Sequence, residues 1–239
     1  MSLFELIGLG PQGWGRAVAA GAAMTLLVAA LGFALGLLWG AAAAAARLSG
    51  VTPLRWLSAV YTTVVRGVPE LLVLYLLFFG GGALFRAVGE AFGYGGAASA
   101  DAFGAGVVAI GIISGAYSGE VIRGAVRAIP PGQIEAARAF GMSPAQRLRL
   151  VVLPQLLRYA LPSLGNVWQM TLKDTALISV TGLVELMRTT EIAAGSTRLP
   201  FVFYTLAILV FLGFTALSNA AFHWAEQRFN RGIVRGRPA

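Results

Sequence analysis

Charged residues in this chain are concentrated between long apolar stretches and are rare within them. A helix that crosses a bilayer needs roughly 20 consecutive apolar residues. Five stretches approach or exceed this length, which predicts an all-α, polytopic membrane protein that forms a single domain over residues 1–239. The predicted spans cover residues 17–46, 56–85, 102–122, 157–184 and 199–225.

Arginines lie mainly on one side of these predicted spans. That side holds the connections after spans one and three and the C-terminal tail, with Arg47, Arg55, Arg123, Arg127, Arg138, Arg147, Arg149, Arg158, Arg228, Arg231, Arg235 and Arg237. On the opposite side, four arginines are balanced by five acidic residues: Arg16, Arg86, Arg188, Arg198, Glu5, Glu90, Asp101, Glu185 and Glu191. Because short loops rich in Lys and Arg stay in the cytoplasm, we expect the N-terminus outside and the C-terminus inside.

The overall composition agrees with a membrane protein. Hydrophobic residues make up 57% of the chain, charged residues only 12%, and the mean hydropathy is +0.76. The formal net charge of +8 is explained by the basic loops, so we expect no nucleic-acid partner. The chain has no cysteine and one histidine, His223, which leaves no thiolate or histidine cluster for a metal. We expect no metal site and no catalytic residue.

Six ionisable residues fall within or at the edges of the predicted spans, where an unpaired charge is costly. They are Arg66, Glu70, Glu120, Arg123, Lys173 and Asp174. The i, i+4 spacing of Arg66 and Glu70 predicts an ion pair if the helix continues through Pro69. An i, i+3 pair is predicted for Glu120 and Arg123, while the adjacent Lys173 and Asp174 could neutralise each other. We interpret Arg66, Arg123, Lys173 and Asp174 as structural charges.

The polar segment 129–154 connects spans three and four and begins and ends with proline. Residues 133–140 are good helix formers, and Gly141 would end that helix. Ser143 is suited to cap a second short helix that has Pro144 at its first position. The pattern predicts a helix, a sharp turn and another helix.

The first of these two helices has a small apolar face. Ile134, Ala137 and Phe140 with Gly141 share that face at intervals of three and four residues. An apolar face on an exposed helix is typical of a docking surface, so we expect another protein to bind there.

The same segment, IPPGQIEAARAFGMSPAQRLRLVVLP, resembles the EAA signature of permease subunits in bacterial ABC importers. The matching positions, with the spacing of that signature, are Glu135, Ala136, Ala137, Gly141, Val151, Leu153 and Pro154. In that family the segment is the coupling helix, which inserts into a groove of the cytoplasmic ATPase. The resemblance therefore assigns ATPase coupling to Glu135, Ala136, Ala137, Gly141, Leu153 and Pro154.

Three further strings are similar to the polar amino acid subfamily of these permeases. They are VVRGVPELLVLY, GAYSGEVIRGA and NVWQMTLKDTALISVTGLVEL. The similarity is greatest to the permeases of histidine/lysine/arginine/ornithine and opine importers, and it extends from about Thr25 to the basic tail. It implies the type I ABC importer permease fold, a location in the bacterial inner membrane, and transport of a polar, basic amino acid.

The resemblance also implies the partners. These are two ABC ATPase subunits, a second permease subunit that is a paralogue or an identical copy, an extracytoplasmic amino acid-binding protein, and membrane lipid. ATP and Mg²⁺ would be bound by the ATPase, and this chain would bind no cofactor. Its sole lysine, Lys173, is followed by Asp174, so the chain has no GxxxxGK[ST] phosphate-binding loop.

Four residues are candidates for the substrate path. If the substrate is cationic, Glu70 or Glu120 is the carboxylate best placed to meet its charge. Asn166 and Gln169 could bind the α-groups of an amino acid, although bonds between helices are the commoner role of such residues. The alternative function is a secondary transporter or channel subunit that is not coupled to an ATPase. A membrane enzyme is less consistent with the sequence, which lacks a G-x-S-x-G string.

Overall fold

The computed structural model describes residues 3–11, 13–81 and 98–230. These residues form α-helices and short turns of 3-10 and π-helix, and contain no β-strand, so the predicted all-α class is confirmed. The helices are α1 (Leu3–Ile7), α2 (Gly15–Leu48), α3 (Thr52–Gly67), α4 (Glu70–Tyr75), α5 (Ala98–Arg127), α6 (Pro131–Ala139), α7 (Pro144–Arg147), α8 (Leu153–Asp174), α9 (Leu186–Thr197) and α10 (Pro200–Phe229).

Three helices in the described chain are long and apolar enough to cross a membrane: α2, the Ala102–Arg127 part of α5, and α10. The bent pair formed by α3 with the segment Glu70–Gly80 would be a fourth. Helix α8 is 22 residues long but includes Arg158, Lys173 and Asp174, and it does not meet the same measure of apolarity. The predicted total of five crossings therefore stays a prediction, and the connection between predicted spans two and three lies almost entirely outside the described residues.

Helices α2 and α5 form the most extensive packing in the described structure, and they do so through small residues. A Cβ atom added to Gly36 would lie 2.0 Å from Ser114 Oγ, and one added to Gly40 would lie 2.8 Å from the backbone nitrogen of Gly119. Only glycine fits at such distances. Small residues at such contacts allow helices to pack closely in lipid, where no hydrophobic force joins them.

A sharp break separates α3 from α4. Helix α3 ends at Gly67, Val68 is extended, and Pro69 precedes α4, whose axis is bent by 114° from that of α3. The pyrrolidine ring of Pro69 disfavours helical geometry at Val68, which explains why the helix ends there. Up to residue 81, where the described segment ends, the predicted span 56–85 therefore consists of two helical pieces.

The predicted span 157–184 also differs from the structure. The α-helix begins earlier, at Leu153, and ends at Asp174; residues Thr175–Thr181 form a 3-10 helix. Gly182 then adopts a left-handed conformation with φ of 87°, and Glu185 starts the separate helix α9. The mainly apolar stretch Thr175–Thr181 does not by itself reveal such a change of helix type, because apolar side chains occur in both 3-10 and α-helices.

Large apolar side chains remain exposed on the outer surface of the helices. Phe201 is 83% exposed, and Leu38 and Leu217 are each 72% exposed. In water such surfaces would favour aggregation. Along helices of this length and apolarity, they are suited to contact acyl chains or another membrane subunit.

Candidate functional site

A cluster of polar side chains lies at the break between α3 and α4. Tyr117 on α5 is its centre: the tyrosine hydroxyl donates a hydrogen bond of 2.9 Å to Oε1 of Glu70, and the guanidinium of Arg66 lies 5.3 Å from the centre of the tyrosine ring. Asp174, the last residue of α8, is close enough to interact electrostatically with both Glu70 and Tyr117. We refer to Arg66, Glu70, Tyr117 and Asp174 as the Tyr117 cluster.

The ion pair between Arg66 and Glu70, which was expected only if the helix continued through Pro69, is not formed in the described structure. The ion pairs found among the described residues are Glu120 with Arg123 and Arg188 with Glu191. Because α3 ends at Gly67, the i, i+4 geometry that would join Arg66 to Glu70 does not exist, and Tyr117 links the two residues instead. Sequence reasoning did not select Tyr117, since a neutral residue carries no charge signal, although it lies in the GAYSGEVIRGA string.

The side chains of the Tyr117 cluster can interact with both cationic and anionic groups. Arg66 is exposed and Glu70 is half-buried, so both head groups can be reached from the break. Carboxylates on Glu70 and Asp174 can accept hydrogen bonds from a cationic group, and the Arg66 guanidinium can donate to an anionic one. In addition, Glu70 and Leu71 are the first two residues of α4, and N–H groups at these positions have no partner within a helix.

The predicted pair of Glu120 and Arg123 is confirmed. Arg123 Nε donates to Glu120 Oε2 at 3.0 Å, and its Nη2 donates to the same oxygen. Both side chains are about one-fifth exposed, at 19% and 22% respectively. Glu120 is thus neutralised within α5, which leaves Glu70 as the better candidate of the two for meeting a cationic ligand. Lys173 is exposed, and it forms no direct ion pair with Asp174 in the described structure.

Asn166 and Gln169 are not brought into the Tyr117 cluster. Asn166 is exposed on α8. Gln169 is used between helices: its amide nitrogen donates to Asn219 Oδ1 at 3.1 Å and to the carbonyl of Thr215 at 3.4 Å, both on α10. The neighbouring Trp168 donates to Ser218 Oγ at 2.8 Å along the same contact. Polar residues of α8 therefore join it to α10.

The segment 129–154 has the predicted local structure in its first half. Helix α6 is followed by Gly141 in the left-handed region, with φ of 71°. Ser143 then caps α7: its hydroxyl accepts from the backbone of Gln146, whose side chain accepts from the backbone of Ser143 at 2.8 Å. The predicted turn at Gly141 and the predicted cap at Ser143 are both confirmed.

The second half of this segment differs from the prediction. Helix α7 does not end as a separate short helix, because a π-helical turn at Leu148–Val152 joins it to α8. Pro154 falls in the first turn of α8, directly after the π-helical turn. Leu153 and Pro154 are both exposed, and they are part of a continuous helical rod that begins at the turn.

The predicted docking face of α6 is also corrected. Ala137 is only 4% exposed and Ile134 is half-buried, because this side of α6 packs against the π-helical turn of its own chain. Phe140, which belongs to the predicted face, is 84% exposed, and Glu135 and Ala136 are also among the exposed residues of this segment. A partner that binds α6 would contact these side chains.

Comparison with known proteins identifies the family of this chain. Residues 32–231 match the family described as binding-protein-dependent transport system inner membrane component. The chain belongs to this family. The resemblance to importer permeases is thereby confirmed, and the protein is a membrane translocation component.

The permease aligns with curated relatives along almost its whole length. It is 54% identical over 229 residues to the nopaline transport system permease protein NocQ of Agrobacterium fabrum, covering 95% of this chain and 97% of that relative. It is 48% identical to the octopine transport system permease protein OccQ of Rhizobium radiobacter over 99% of this chain and 100% of the relative. The histidine/lysine/arginine/ornithine permease HisQ of Escherichia coli is 38% identical over 93% and 97% of the two chains.

Solved structures support the predicted fold. A chain from an amino acid ABC transporter crystallised with histidines matches the permease with a TM-score of 0.75 and 32% identity, over 90% of this chain and 95% of the other. A chain of the inward-facing MetNI methionine ABC transporter matches with a TM-score of 0.67 and 20% identity, over 97% and 100%. The permease has the type I ABC importer fold that its sequence predicted.

Proposed function

We propose that this permease is a subunit of an ATP-driven importer that moves a basic amino acid or an opine into the cytoplasm. Relatives named for nopaline, octopine and basic amino acids support the substrate class. The Tyr117 cluster also supports it, because the carboxylates of Glu70 and Asp174 can accept hydrogen bonds from the cationic groups of such a substrate. Glu70 and Asp174 would meet the cationic groups of the substrate, and Arg66 would meet its carboxylate.

The break between α3 and α4 is the observation that carries this assignment. Discontinuous helices in transporters present unpaired backbone groups and charged side chains near the middle of the membrane, where substrates bind. Here the break places Arg66 at the end of one piece and Glu70 at the start of the next, with Tyr117 between them. Tyr117 would hold the Glu70 carboxylate in position for the substrate.

The energy for transport would come from partner chains. Two ATPase subunits would bind ATP and Mg²⁺, and the exposed side chains of α6 (Glu135, Ala136 and Phe140) would contact them. The helical rod formed by α7, the π-helical turn and α8 runs from the Gly141 turn to Asp174. Movement of α6 during ATP binding would therefore be transmitted along one continuous element to a member of the Tyr117 cluster.

Reconstitution tests this function directly. The permease, its second permease subunit and two ATPase subunits are placed in proteoliposomes, and a binding protein is supplied with arginine, octopine, glutamine or glutamate. We expect ATP hydrolysis and uptake to rise with arginine or octopine and to stay at the basal level with glutamate. Uptake at full rate without ATP would instead identify a secondary transporter or channel.

We also propose that the N-terminus lies outside and that α6 lies in the cytoplasm. The absence of cysteine makes single-cysteine labelling a clean test. Ala136→Cys on α6 and Gly195→Cys on α9 are both at exposed positions. In spheroplasts, a membrane-impermeant maleimide should label Gly195→Cys and should leave Ala136→Cys unlabelled until the membrane is disrupted. The reverse pattern would invert the topology and would contradict ATPase coupling through α6.

A further inference from the structure

A basic hollow of about 520 Å³ lies where α2 ends and α3 begins, beside the end of α5. Leu48 and Trp56 form part of its wall. Four arginines also line it: Arg47, Arg55, Arg123 and Arg127. We refer to this hollow as the arginine pocket. It is distinct from the Tyr117 cluster, since none of the four residues of that cluster lines it.

The charges of the arginine pocket are incompletely compensated within the chain. Arg123 is paired with Glu120, but among the described residues no carboxylate lies within ion-pair distance of Arg47, Arg55 or Arg127. Arg47 donates through Nη1 to the carbonyl of Arg55 at 3.2 Å, which fixes its side chain across the connection between α2 and α3. Guanidinium groups gathered around one hollow repel one another, and an anion bound between them would remove that repulsion.

The shape and chemistry of the pocket favour a phosphate group. The planar fork of an arginine side chain matches two oxygens of a phosphate, and Arg55 and Arg127 offer such forks from two different helices. Both side chains are exposed, so neither has to be uncovered before it can bind.

The apolar part of the wall indicates where that phosphate comes from. Trp56 is 69% exposed and Leu48 is 40% exposed, at the end of the membrane-crossing helix α2. Tryptophan prefers the boundary between acyl chains and water. A free phosphate ion would gain nothing from these two side chains, whereas a phospholipid would contact them with its glycerol and acyl groups.

We propose that the arginine pocket binds the phosphate head group of an anionic phospholipid at the membrane interface. Basic pockets between membrane-crossing helices are known to hold such head groups. The lipid would brace the junction of α2, α3 and α5, and the permease would depend on anionic lipid for its stability.

The test uses the purified, delipidated full-length permease in detergent. Binding of dioleoylphosphatidylglycerol, dioleoylphosphatidylcholine or inorganic phosphate is measured by native mass spectrometry and by the shift in the thermal unfolding temperature. The variant Arg55→Gln/Arg127→Gln is compared with Arg138→Gln/Arg149→Gln, which removes two exposed arginines outside the pocket. If the first double variant unfolds early without lipid, Arg127→Gln alone replaces it.

We expect phosphatidylglycerol to bind the wild type and the control variant equally, and to bind Arg55→Gln/Arg127→Gln at least about tenfold more weakly, as the loss of charge-assisted hydrogen bonds requires. Phosphatidylcholine should bind weakly to all three. Equal weakening in both double variants, or equal binding of the two lipids, would overturn the proposal. Binding of inorganic phosphate alone would assign the pocket to a soluble anion. Loss of lipid binding when the ATPase subunits are added would show that the pocket is a contact for those subunits and not a lipid site.

Discussion

Thr25 Oγ1 donates a hydrogen bond of 3.1 Å to Oε2 of Glu185 and thereby connects α2 to the start of α9, 160 residues further along the chain. Both side chains are buried, with exposures of 0% and 1%. The same Glu185 carboxylate accepts from the backbone nitrogen of Met187 at 2.9 Å and from that of Arg188 at 2.7 Å, so it also caps α9. One buried carboxylate therefore fixes both the beginning of a helix and its contact with a distant helix.

Replacing Glu185 with Gln should lower the stability of the permease. Each carboxylate oxygen of Glu185 accepts from a backbone N–H, so one of these N–H groups would face the NH₂ of the glutamine. We expect a loss of about 1–3 kcal/mol, the cost of an unsatisfied buried group. The unfolding temperature of the purified protein measures this loss.

Glu191→Gln provides the matched control for Glu185→Gln. Glu191 lies on the same helix, but its ion pair with Arg188 is partly exposed, so its removal should cost less than about 1 kcal/mol. Equal unfolding temperatures for Glu185→Gln and the wild type would show that the charge of Glu185 is not needed for the contact.

A methyl group at Gly36 should separate α2 from α5. The added Cβ would lie 2.0 Å from Ser114 Oγ and 3.0 Å from the backbone nitrogen of Gly115, and the backbone cannot move aside. We expect Gly36→Ala to destabilise the permease by about 1–3 kcal/mol, as overpacking does. Gly104→Ala on α5 meets no atom within 4 Å and should be neutral or slightly stabilising. Thermal unfolding of the two variants, measured in parallel, would contradict this account if they behaved alike.

The features that could be predicted from the sequence are those set by short stretches of chain. The all-α class follows from apolar length, and the turn at Gly141 and the cap at Ser143 follow from the conformations that these residues favour. The link between Arg66 and Glu70 could not be predicted, because it depends on a 114° bend and on Tyr117 of another helix. Pro69 indicated a break but not its direction.

The exposed face of α6 shows the same limit. Helical spacing placed Ile134 and Ala137 on one face, which was correct, but it could not show whether this face meets a partner or the chain itself. The structure packs it against the turn at Leu148–Val152. Burial is a property of the whole fold, and an apolar face is equally suited to either neighbour.

Removing the Tyr117 hydroxyl should impair transport with little effect on folding. Tyr117→Phe keeps the ring beneath Arg66 but frees Glu70, which then loses a hydrogen bond to its charged form. A Glu70 carboxylate that is no longer held in position should meet the substrate less well, so we expect at least a ~10-fold reduction in kcat/KM for uptake by the reconstituted importer.

Tyr61→Phe is the control for Tyr117→Phe. Its hydroxyl donates to the carbonyl of Ile112 at 2.6 Å, between α3 and α5, and makes no hydrogen bond to Glu70. This variant should lose stability and retain its kcat/KM for uptake. Unchanged uptake in Tyr117→Phe would show that the hydrogen bond to Glu70 has no part in substrate handling.

Two neighbouring alanines of α6 should respond differently to the same substitution. Ala136 is exposed and Ala137 is 4% exposed against its own chain. Ala137→Leu inserts three heavy atoms into a filled space and should destabilise the fold by about 1–3 kcal/mol. Ala136→Leu meets no such obstacle within the subunit, so its unfolding temperature should equal that of the wild type.

If α6 docks on the ATPase, the larger side chain at 136 should weaken binding of the purified ATPase subunit, measured on the permease in nanodiscs. Wild-type ATPase affinity for Ala136→Leu would indicate that the ATPase does not contact this face of α6, and would move the coupling surface to another part of the chain.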